Sequence, residues 1–71
     1  MSKRDLKKFG SRVKELRLER GLTQEALAES LNLSANFVGM VERGERNTTV
    51  ENVFNIARAL NIKPTALFDN L

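Results

Sequence analysis

The sequence contains no cysteine, histidine, tryptophan or tyrosine, and a single proline. Without cysteine there is no disulfide and no thiolate zinc site. Without histidine there is no imidazole metal ligand, and neither a Ser-His nor a Cys-His nucleophilic pair can form. No metal, no cofactor and no enzymatic activity are expected. Uncharged apolar runs extend only a few residues, so no segment should span a bilayer. The basic N-terminus lacks the apolar stretch of a secretory signal, and the cytoplasm is the expected location.

What remains is a 71-residue chain with a net charge of +3. That length suits one domain, taken as residues 1–71, with a modest core. The charge is unevenly spread. Residues 1–20 hold eight basic and three acidic side chains, whereas residues 21–71 hold four basic and six acidic. A basic segment on a small protein fits either a polyanionic partner or a solvated, lysine-rich helix face.

Apolar spacing divides the chain into about five helices and no strands, so the fold class is all-α. Leu6, Phe9, Val13 and Leu16 form one stripe in a first helix from about Asp5 to Arg20, with Gly21 as its left-handed stop. Thr23 is placed to cap a second helix over about Gln24 to Ser30. Asn32 suits a positive φ in the turn that follows, and Ser34 caps a third helix over about Ala35 to Arg43, ended by Gly44. Val38 and Val41 should point inward from it, with Ser34, Ala35, Asn36, Gly39, Met40 and Arg43 facing outward. After a polar loop, Thr49 caps a fourth helix from about Val50 to Leu60. Val50, Val53, Ile56, Ala57 and Leu60 are its expected inward set. Pro64 opens a short fifth helix ending near Phe68.

The stretch from Gln24 to Gly44 is the informative one. Two helices of about two turns joined by a three- or four-residue turn match the arithmetic of a helix-turn-helix. Ala28 supplies the small residue where the two helices cross, Asn32 the turn, and Leu27, Leu31, Leu33, Val38 and Val41 the apolar anchors.

The runs LRLERGLTQEALA, VERGERN and ARALNIKPTALF resemble the Cro/C1-type (Xre) helix-turn-helix family of phage repressors and bacterial regulators, across about residues 6–68. Within it, the ERGERN segment is most like that of restriction–modification controller proteins. The resemblance implies a lambda-repressor-like bundle that binds double-stranded DNA and regulates transcription. It assigns DNA contacts to Thr23, Gln24, Ser34, Ala35, Asn36, Phe37, Gly39, Met40, Arg43, Arg46 and Asn47. Gln24 matches a phosphate-contacting glutamine, whose plainer reading is a helix cap. Asn36 has the groups for a bidentate pair with adenine, and Met40 for contact with a thymine methyl. Ala35 departs from the family's habit of arginine or glutamine there and leaves direct readout thin. Arg17 and Glu42 match a buried ion pair, a scaffold rather than a reader.

One such module reads only a few base pairs, so the resemblance also implies a homodimer on a palindromic operator. RNA polymerase is a further expected partner at a promoter; no membrane and no small-molecule effector are expected. Binding DNA would place the protein on the nucleoid. Ile62, Leu67, Phe68 and Leu71 load the short tail with apolar residues; the resemblance places Leu67 against the core, which leaves Phe68 and Leu71 partly surplus to a monomer. Leu67, Phe68 and Leu71 are therefore the expected dimer interface. Phe68 folding back on the first helix is the alternative. Antitoxins and phage repressors share these motifs, and a module whose main partner is another protein is the competing function.

Overall fold

The computed structural model describes all residues from Met1 to Leu71. Four α-helices are built, each from a local signal: α1 (Lys3–Glu19), α2 (Gln24–Leu31), α3 (Ala35–Glu42) and α4 (Val50–Leu60). The side chains of Ser2, Thr23, Ser34 and Thr49 each accept a hydrogen bond from the N–H three residues on, at 3.0–3.1 Å. They satisfy donors that a helix start leaves unpaired. Asn32 (φ 57°) and Asn61 (φ 55°) close α2 and α4 in the left-handed conformation, and Gly21 (φ 69°) follows α1. No helix is long and apolar enough to cross a membrane.

Several expectations are corrected. α1 begins at Lys3 instead of Asp5, because Ser2 is the cap that works. The fifth element, Pro64–Phe68, is a 3-10 turn, not an α-helix, so the count is four. Its Ala66 carbonyl accepts from Arg12 Nε at 2.8 Å, which ties the tail to α1. Val50 was expected inward and is 73% exposed, since it occupies the first position of α4, ahead of the packed stripe. Leu67, one of the three expected interface residues, is 0% exposed within a single chain and belongs to the core.

The core joins Phe9, Val13 and Leu16 of α1 to Leu27 and Ala28 of α2, Val38 and Val41 of α3, Ile56, Ala57 and Leu60 of α4, and Leu67. The tail closes the α1 side of this core. Phe68 stacks on Phe9 with ring centroids 5.4 Å apart, a geometry that favours offset aromatic rings. Asn70 Nδ2 donates to the Lys8 carbonyl at 2.8 Å. Phe68 thus partly folds back on α1, leaving its outer edge and Leu71 in solvent.

The helices approach closely at small residues. A Cβ on Gly10 would collide with the Val41 carbonyl oxygen and sit 2.7 Å from that of Glu42. Both contacts are main chain and cannot swing away. Gly10→Ala is accordingly expected to destabilise the fold by about 3 kcal/mol by overpacking. Its thermal midpoint should fall well below that of the parent; an unchanged midpoint contradicts the tight α1–α3 contact.

Candidate nucleic-acid interface

The α2 and α3 helices pack together with Ala28 buried in the core, and the left-handed Asn32 closes α2 before the turn into α3. α3 is seated by Val38 and Val41 on one side. Its other side carries Ser34 and Asn36, both exposed, with Met40 half-buried beside them. Asn36 Nδ2 lies 3.8 Å from Met40 Sδ, a weak contact across one helical turn that leaves the amide oxygen outward. Arg43, at the end of α3, and Arg46 and Asn47 in the loop beyond are exposed. These residues form one continuous polar and cationic edge.

The structure corrects the placement of two residues. Gly39 is buried where it was expected to face outward. A Cβ there would lie 3.1 Å from Arg43 Nη1 and 3.5 Å from Gln24 Nε2, so both side chains converge over bare backbone. The absence of a side chain at Gly39 brings two nitrogen donors from different helices together. Ala35, also expected outward, is half-buried and packs against the core, as does Phe37. The Arg46 guanidinium sits 5.4 Å from the Phe37 ring centroid. That cation–π contact holds Arg46 beside α3.

Beneath this edge lies a buried polar network. Arg17 Nε donates to Glu42 Oε2 at 2.7 Å, and Arg17 Nη2 to Glu42 Oε1 at 3.1 Å. Arg17 Nη1 donates to the Leu22 carbonyl at 2.7 Å. Gln24 Nε2 donates to Glu42 Oε1 at 3.0 Å. The Arg17–Glu42 pair agrees with the family resemblance; the link to Gln24 had no signal in the sequence. It aims one amide N–H of Gln24 at Glu42 and leaves the second free for an acceptor outside the chain. The first-turn N–H groups of α2 open beside it, as a helix start leaves them. The set matches what a phosphate oxygen requires.

A helix-turn-helix family model matches residues 13–67, most of the chain. This chain belongs to the helix-turn-helix family. It is 36% identical over 62 residues to the control protein C.BamHI of Bacillus amyloliquefaciens, an alignment spanning 86% of this chain and 76% of that protein. It is 33% identical to the control protein C.MunI of a Mycoplasma species, over 90% of this chain and 88% of the relative. The crystal structure of the restriction–modification controller protein C.AhdI from Aeromonas hydrophila superimposes with a TM-score of 0.89 at 49% identity, covering 92% of this chain and 98% of that one. The matched span contains α2 and α3, the two helices that carry the polar edge described above.

The buried network makes its own prediction. Arg17→Met should cost about 3–5 kcal/mol, because it leaves the Glu42 carboxylate enclosed without its cation. Arg17→Met combined with Glu42→Leu should recover much of that loss, since paired apolar replacements of buried ion pairs are often near neutral. Thermal melts of the two variants check this; equal melts for both would mean that the pair is not desolvated.

Proposed function

We propose that this protein is a sequence-specific double-stranded DNA-binding regulator of transcription, of the restriction–modification controller kind, that acts as a homodimer on a palindromic operator. The observation that carries the reading is the α3 edge. Exposed Ser34, Asn36 and Arg43 are mounted on a helix whose opposite face is locked into the core. In this reading α3 enters the major groove, Asn36 and Met40 meet base edges, and Gln24 and Arg43 clamp phosphates. The 49% identity to C.AhdI over nearly the full chain favours the controller subfamily. Regulation then follows from where the dimer sits on a promoter, whether it blocks polymerase or recruits it.

Asn36 and Gln24 separate reading from clamping. Asn36→Ala should relax the preference at one base pair of a selected site, at a cost of about 1–3 kcal/mol. Gln24→Ala should weaken all sequences alike, because phosphates are the same at every base pair. Binding-site selection followed by mobility shifts with each variant measures both. Base preferences left intact by Asn36→Ala would move readout to Arg43 and Arg46 or to DNA shape.

The dimer reading rests on apolar surface left in water. With Leu67 inside, the exposed apolar residues of the tail are Phe68 and Leu71, and α4 adds Val50 and Phe54, the latter 45% exposed. In this reading the dimer interface covers this apolar surface. Phe68 is a poor probe, because its ring also stacks on Phe9. Phe54→Glu is cleaner: it should melt like the parent, sediment as a monomer and lose operator affinity. A dimeric Phe54→Glu would put the two-fold axis elsewhere.

A further inference from the structure

Arg43 faces two ways. Its Nη1 lies over Gly39 on the α3 edge, and its side chain also lines a separate open groove of about 540 Å³ on the α1 side. That groove is bounded by Lys3, Leu6 and Lys7 of α1 and by Arg43, Gly44 and Glu45. Its position is set by Gly44, whose φ is 74°. A Cβ there would fall 2.6 Å from Lys7 Cγ and 2.7 Å from Lys7 Cα, so the loop after α3 lies directly on α1. This contact brings Lys7 alongside Arg43. Lys3 lies one turn further, on the same face of α1 and about 6 Å along the axis.

The result is a row of three cations, Lys3, Lys7 and Arg43, that leads away from the end of α3. Glu45 is the one carboxylate in the groove, and it pairs with Arg43 at 3.1 Å. Neither lysine takes part in an ion pair. Both are exposed, so the fold gains little from their charge.

We propose that this groove is a second phosphate-binding strip, which grips the DNA backbone beyond the base pairs that α3 reads. The proposal rests on the DNA-binding reading above and extends it to the flank of the site. The partner is the phosphodiester chain itself, because the row offers ammonium and guanidinium groups and no base-reading amide. Lys3 and Lys7 then add affinity without adding sequence information. Arg43 joins the two surfaces, and Glu45 offsets part of the charge.

The test is Lys3→Gln combined with Lys7→Gln, titrated across salt by fluorescence anisotropy. One duplex carries a selected site with flanks of about one helical turn, a second is trimmed to the selected bases, and a third has random sequence. Glutamine keeps the Lys7 stem against Gly44, and a thermal melt matched to the parent verifies the fold. Lys3→Gln alone, at the exposed start of α1, is the fallback if the melt differs. On the flanked duplex the plot of log affinity against log salt should become shallower by about 0.9 per protomer for each lysine that reaches a phosphate. Base preferences should stay as in the parent, and the two proteins should converge on the trimmed duplex. Identical affinity and slope on the flanked duplex would overturn the strip. A parent without sequence preference would count against the regulator reading; the strip is sequence-independent, and the random duplex still decides it by the same change in slope.

Discussion

The pairing of Arg17 with Glu42 is the interaction on which the interface depends. Enclosing a guanidinium and a carboxylate is costly, and the cost is offset only where both are fully hydrogen-bonded. Here the guanidinium reaches the carboxylate through two nitrogens and the Leu22 carbonyl through a third, while the carboxylate also accepts from Gln24. Four segments meet at one point: α1, the turn after it, the start of α2 and the end of α3. Apolar side chains would hold such a point as firmly, but with less demand on direction. A bidentate pair accepts one relative orientation, and α3 must keep one orientation if its outer edge is to meet a regular surface.

A second constraint is size. The chain is short, and at small residues it brings backbone against backbone. Gly10 does so between α1 and the end of α3, and Gly44 between the following loop and α1. Each close approach also serves the surface. Gly10 admits the end of α3 that carries Glu42 and Arg43. Gly39 lets Gln24 and Arg43 converge. Gly44 lays Lys7 beside Arg43. The polar edge is thus a consequence of where side chains are missing as much as of where they stand.

Arg43 and Phe37 illustrate how little of a residue's role follows from its exposure. Arg43 is exposed, yet it is held between Glu45 and the backbone of Gly39 and borders two surfaces. Phe37 lies in the motif, but its ring packs on the core and supports Arg46. A cation placed by its neighbours loses less conformational freedom on meeting a phosphate than one free in solvent, which favours binding.

Features governed by residues within about four positions of each other were legible in the sequence. Thr23, Ser34 and Thr49 cap helices because a side-chain oxygen needs only the next turn's N–H. Asn32 and Gly21 take positive φ for equally local reasons. The apolar stripe of α1 follows from periodicity alone. Arg17 and Glu42 were paired through the family resemblance, since no local rule joins residues 25 apart. The tertiary structure decided the rest. Val50 fits the helical period but lies where α4 has no neighbour to cover it, and Phe54 stays partly in water. Gly39 reads as an outward position until Gln24, from another helix, folds over it. Leu67, placed in the expected interface, is wholly enclosed once α1 and α4 close around it. In each case the deciding partner is distant in sequence. Burial depends on which segments meet, whereas capping and turn formation are set by the chain's own covalent geometry.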